Sequence, residues 1–333
     1  MILSGITMLL SALLIYFSCE FFVNSIEWVG KAFNISKNAV GTVLAAFGTA
    51  LPESIVTLIA VVFGANSSQK DIGVGSALGG PLVLSTIAYA VVGISIIMFS
   101  SKRKIGKHIK INARKLGRDQ IWFMCIFVFK VALGFVAFSI KHWLGFLFLA
   151  VYILYSYGEL KADAEETEEK LEPLKISPKN THPTKIMILG QTIVSLIFIF
   201  AGSQIFVHNL GSLSSLLGVP PHIIALILSP VATELPETLN AVIWVRQGKE
   251  NLALANISGS MMIQATVPSA LGIIFTPWMF DKSLALSAFI TFIAILLLWL
   301  TLRKSHLSAW RLSLNALLYV VFIVGILFIK GGI

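Results

Sequence analysis

Ten long apolar runs separated by shorter polar intervals make up almost the whole chain. They lie at roughly 2–28, 38–64, 72–99, 121–139, 143–158, 186–207, 220–245, 251–276, 283–302 and 308–329. A hydrocarbon core about 30 Å thick takes roughly 20 helical residues to cross. The pattern therefore predicts an all-α membrane protein of ten transmembrane helices, with 143–158 the shortest. The longest polar interval, 159–185, falls near the middle and carries an acidic stretch from Asp163 to Glu169. It reads as a solvated cytoplasmic linker between two five-helix halves, 1–158 and 186–333.

Composition strengthens this picture. Apolar residues make up 56% of the 333 and charged ones only 12%, too little polar surface for a soluble chain of this length. The first run has no basic segment before it, and Glu20 and Glu27 stand where a cleavage site would be sought, so it reads as a retained helix and not a removed signal. Cys19 and Cys125 both lie in apolar runs and are expected as small buried side chains, without a disulfide.

Lysine and arginine set an orientation. With the N-terminus outside, the inner intervals hold 20 of the 25, eight of them between Lys102 and Arg118; only Lys70, Lys141, Lys282 and Lys330 lie outside, and Lys130 falls inside a span. The positive-inside rule thus places both termini outside. The net charge of +9 is accounted for by topology and phospholipid contact, with no nucleic-acid partner implied.

Two short elements interrupt the apolar pattern. Gly48-Thr49-Ala50-Leu51-Pro52-Glu53 returns as Ala232-Thr233-Glu234-Leu235-Pro236-Glu237. A glutamate beside a proline is costly in lipid, and its duplication points to a shared buried site. Aligning Glu53 with Glu237 and allowing a shorter second loop sets Gly79 on Gly259 and Gly80 on Ser260. Five spans separate the copies, an odd number, so the second is inverted relative to the first.

The spacing also dictates chemistry. Pro52 and Pro236 lack amide hydrogens, which frees the carbonyls of Gly48 and Ala232, and a metal cation is one partner such an oxygen can find in the membrane. Thr49 and Glu53 share a helix face, as do Thr233 and Glu237, with Glu234 three residues before Glu237 and Ser260 four before Gln264. Such an all-oxygen shell suits Ca²⁺ or Na⁺. Three carboxylates repel one another unless cations or protons neutralise them, which is a basis for exchange.

These residues resemble the sodium/calcium exchanger family within the calcium/cation antiporters. Each repeat in that family carries a Gly-Thr-Ser-Leu-Pro-Glu element followed by a Gly-Asn-x-x-Gly-Ser-Asn element. The likeness covers both repeat cores, the helix count, the termini and the central loop. It implies two inverted five-helix repeats and a midplane site on the second, third, seventh and eighth helices. It also implies alternating access by sliding of the first and sixth. Thr49, Glu53, Thr233, Glu237 and Ser260 keep the family's ligand chemistry. Ala50, Gly80 and Leu84 are read as lost ligands of the first repeat, Glu234 as a gained acid and Gln264 as an amide in place of an acid. Fewer ligands on one side imply fewer ions held at once, which makes proton-coupled or otherwise altered exchange plausible.

The expected metal-site residues are therefore Gly48, Thr49, Glu53, Ala232, Thr233, Glu234, Glu237, Ser260 and Gln264. The expected function is antiport of Ca²⁺ for Na⁺ or H⁺, with the transported ions as substrates and no cofactor. The competing reading is a non-transporting cation sensor or assembly protein on the same scaffold. Partners are inorganic cations and the lipid bilayer, and a monomer suffices. Compactness points to a prokaryotic inner membrane. Six scattered histidines and the lack of a phosphate-binding loop argue against a hydrolase or an ATP-driven pump. Glu20 is expected to line an access route or bond within the bundle. Lys130 is expected mid-span, either neutral, paired with an acid, facing a cavity, or standing in for a bound cation.

Overall fold

The computed structural model describes residues 2–33, 45–101, 109, 111–161, 171–180, 183–303 and 307–331, with the side chains at 2, 3, 45–49, 159–161 and 331 outside that description. Among the described residues the architecture is helical: α1 (Ile2–Ala32), α2 (Ala45–Val62), α3 (Ser67–Val83), α4 (Tyr89–Met98), α5 (Ala113–Leu133), α6 (Leu144–Lys161), α7 (Lys185–Leu217), α8 (Pro221–Thr233), α9 (Leu235–Arg246), α10 (Glu250–Phe275), α11 (Lys282–Arg303) and α12 (Ala309–Gly331). Among the described residues six stretches are long and apolar enough to cross a bilayer: Ser4–Ala32, Ser67–Met98, Lys185–Leu217, Glu250–Phe275, Lys282–Arg303 and Ala309–Lys330.

Polar residues and glycine mark the helix ends. Asn66 accepts from the amide of Gln69 at 2.9 Å and Asn112 from that of Lys115 at 3.0 Å, capping α3 and α5. α7 stops at Gly218, whose φ of +59° lies in the left-handed region. Proline then shapes the interior. Pro81 lies inside α3, and a π-helical turn, Leu84–Ala88, carries the chain on into α4. Pro52 is accommodated within a continuous α2, whereas the helix holding Pro236 breaks at Glu234 and restarts as α9.

The packing centres on α3 and α10. α1 lies along α7; α3 packs on α8 and α2 on α10; α4 meets α12 and α6 meets α10; α5 meets α11. Glycine permits the closest of these approaches. A Cβ on Gly75 would stand 2.2 Å from the carbonyl oxygen of His222, and one on Gly79 2.7 Å from that of Leu226.

Two expectations change here. Cys19 is buried, but Cys125 is exposed, because its face of α5 turns outward. The stretch 171–180 is not simply solvated. Leu174 is fully buried against Trp28 and Ile188, Trp28 donates to the carbonyl of Glu172 at 2.9 Å, and Lys175 bonds Glu20 at 2.9 Å. Part of the linker is therefore docked on α1 and α7, and an apolar anchor explains why its charge alone misled.

Candidate functional site

Pro52 and the α8–α9 break bring acids from both halves of the chain to one place. Glu53 is wholly buried in α2. Its Oε1 accepts from Ser76 of α3 at 2.6 Å and its Oε2 from Thr233, the last residue of α8, at 2.8 Å. Ser76 also meets Ser229 at 2.7 Å. The Thr233 hydroxyl lies 2.9 Å from Glu234 Oε1 as well, and the Gln264 amide donates to Glu234 Oε2 at 2.8 Å. On the second side Ser260 of α10 donates to Glu237 Oε1 at 3.3 Å. The exposures of Glu53, Glu234 and Glu237 are 0%, 1% and 0%, so the cluster is sealed from solvent.

One hydroxyl carries one hydrogen. The Thr233 hydroxyl has three oxygens within reach, those of Glu53, Glu234 and, at 3.2 Å, the carbonyl of Ser229, so it ties both acids to the last turn of α8. Among the described residues no three His, Cys, Asp or Glu side chains gather at metal-binding distance, so a metal here would take hydroxyl, amide or carbonyl oxygens beside the acids. Gln264 Oε1 is a buried oxygen with no hydrogen-bond partner, and it lies against Gly80, where a Cβ would come within 2.6 Å.

These bonds favour a different alignment of the two elements from the one expected above. Ser76 follows Glu53 by 23 residues, and Ser260 follows Glu237 by 23. Gly75-Ser76 thus corresponds to Gly259-Ser260, and Gly80 to Gln264, without the shorter loop expected above. Ser76 then stands where Ser260 does, and Leu84 begins the π-helical turn. Glycines at 73, 75, 79 and 80 allow more than one alignment, which is why Ser76 escaped notice.

The sequence profile of the sodium/calcium exchanger protein family matches residues 3–160 and 187–328, nearly the whole chain. The chain belongs to that family. An uncharacterized membrane protein of Methanocaldococcus jannaschii is 25% identical over 319 residues, 96% of each chain. Among solved structures, a sodium–calcium exchanger, NCX_Mj, soaked with Na⁺ and Sr²⁺ has a TM-score of 0.62 at 22% identity, covering 97% of this chain and 98% of its own. An H⁺/Ca²⁺ exchanger, CAX, has a TM-score of 0.77 at 18% identity, covering 98% and 82%. This exchanger is thus a membrane transporter and not an enzyme; the family moves Ca²⁺, Na⁺ or H⁺ as substrates without a cofactor.

Of the expected site residues, the exchanger brings together Glu53, Thr233, Glu234, Glu237, Ser260 and Gln264, with Ala232 buried at the end of α8. The side chains of Gly48 and Thr49 lie outside the described residues. Ser76 and Ser229 join the cluster. Glu20 stands apart: Tyr16 donates to it at 2.9 Å, and its ion pair with Lys175 ties α1 to the linker. α1 packs on α2, α8 and α9, the helices that carry the acids. Lys130 lies in the last turn of α5 and is wholly buried.

Proposed function

We propose that this exchanger transports Ca²⁺ against Na⁺ or H⁺ at a site built from α2, α3, α8, α9 and α10. The observation that carries the reading is the buried chain of bonds from Ser76 through Glu53, Thr233 and Glu234 to Gln264, which couples an acid of the first half to the break in the second. Glu53, Glu234 and Glu237 supply the charge; Thr233, Ser76, Ser260 and Gln264 supply neutral oxygens, joined by Thr49 and the carbonyls that prolines release at Gly48 and Ala232. Three acids buried side by side repel one another unless protons or cations neutralise them, which supports a proton as one of the exchanged ions.

Counting α3–α4 and α8–α9 as one rod each gives ten rods, and we take them as two inverted repeats, 1–158 and 186–333, joined by 159–185. The packing supports this. Exchanging the two halves turns α3 on α8 into α10 on α2, turns α4 with α12 into α10 with α6, and leaves α1 with α7 and α5 with α11 in place. Both termini then lie outside, with the basic intervals in the cytoplasm of a prokaryotic cell.

The test is ⁴⁵Ca²⁺ uptake into proteoliposomes under imposed Na⁺ or H⁺ gradients. Wild type is expected to accumulate Ca²⁺ with at least one gradient, and Glu53→Gln or Glu237→Gln to abolish uptake while still purifying as folded protein. Uptake at the wild-type rate in both variants contradicts the assignment. Ca²⁺ binding without any gradient-driven flux leaves a sensor as the better description.

A further inference from the structure

The fate of two proline-released carbonyls draws attention to Lys130. Pro81 has no amide to offer the carbonyl of Ala77, four residues back in α3, and Pro268 likewise releases the carbonyl of Gln264 in α10. Lys130 Nζ donates to the Ala77 oxygen at 3.1 Å and to Ser269 Oγ at 3.0 Å, and Ser269 passes a hydrogen to the Gln264 carbonyl at 3.3 Å. The ring of Phe127 covers the ammonium, its centroid 4.9 Å away. The side chain is held in place from behind, since Trp278 donates to the Lys130 carbonyl at 3.0 Å.

No carboxylate lies within ion-pair distance of this ammonium among the described residues. Both oxygen sources belong to the candidate site: Ala77 follows Ser76, which bonds Glu53, and Gln264 bonds Glu234 through its side chain. Two oxygens and an aromatic face around a single positive charge make a setting for a poorly hydrated monovalent cation, and here the cation is covalently attached to the chain.

Resting on the exchange reading above, we infer that Lys130 is a tethered monovalent cation. It fills a subsite formed by the Ala77 carbonyl, the Ser269 hydroxyl and the Phe127 ring, a subsite that without the lysine takes a free cation of ammonium size, K⁺ or NH₄⁺. The tethered charge offsets one of the three acids, so the exchanger binds and releases one fewer monovalent cation in each cycle than the same site without it.

The experiment compares melting temperatures of the purified full chain in choline chloride, KCl and NH₄Cl at equal ionic strength. Lys130→Ala is expected to be destabilised in choline and recovered by K⁺ or NH₄⁺, whereas wild type melts alike in all three. A Lys130→Ala protein that melts at one temperature in all three salts overturns the proposal. Should that variant give no folded protein, Lys130→Gln decides, because its amide can still donate to both oxygens without the charge. Removing a fixed positive charge near Glu53 is expected to tighten its Ca²⁺ binding about tenfold; unchanged or weaker binding counts against a tethered cation. Wild type that binds no Ca²⁺ contradicts the exchange reading instead, and leaves the salt-dependent melting of Lys130→Ala as the test of the subsite.

Discussion

The hydroxyl of Thr233 is the residue on which the two halves of the site meet. Replacing it with valine keeps the shape and removes the hydrogen shared by Glu53 and Glu234, leaving buried acceptors unsatisfied at a cost of about 1–3 kcal/mol. Thr233→Val is therefore expected to lower the melting temperature and to weaken Ca²⁺ binding measured by calorimetry. Ser76→Ala is expected to weaken that binding too, because Ser76 bonds Glu53 at 2.6 Å; unaltered affinity would remove Ser76 from the site. The acids were legible in the sequence because Pro-Glu inside an apolar run has few structural explanations. Ser76 was not, since a stretch rich in small residues fits two registers and only the bond to Glu53 selects one.

Elements follow from proline and glycine as much as from hydrophobicity. Near-identical Leu-Pro-Glu segments give a continuous α2 and a broken α8–α9, a difference that no local pattern announces because neighbouring helices settle it. Gly75 shows the same dependence on neighbours. Gly75→Ala drives a methyl against the backbone of His222, and the separation of α3 from α8 is expected to cost about 1–3 kcal/mol, read as a lower melting temperature. The turn before α11 carries a pH signature. Burial acts to raise the pKa of Asp281, but hydrogen bonds from His222 and from the amides of Leu284 and Ser283 outweigh it and hold the group below its ordinary 3.8. A carboxyl with a lowered folded value contributes its full stability above the unfolded value and loses it as pH falls through the folded one. Acidification below 3.8 is thus expected to lower the melting temperature of wild type more steeply than that of Asp281→Asn.

At the scale of the molecule, the apolar runs foretold an all-helical membrane protein, and six stretches among the described residues are long and apolar enough to cross a bilayer, because lipid imposes length and apolarity on whatever crosses it. The docking of 171–180 on α1 and α7 was hidden by its polar composition, and only the burial of Leu174 reveals it. Orientation has its own check. In a Cys19→Ser, Cys125→Ser background, Ser67→Cys is expected to react with a membrane-impermeant maleimide on intact cells and Lys179→Cys only after permeabilisation; the opposite pattern would invert the topology. We propose that Glu53 on the continuous α2 and the acids at the α8–α9 break converge on one cation. Anomalous scattering from crystals of the full chain soaked with Sr²⁺ tests it most directly. The expected result is a peak within coordination distance of Glu53 and Glu237 that Glu53→Gln abolishes; a peak elsewhere, or one indifferent to both glutamates, would contradict it.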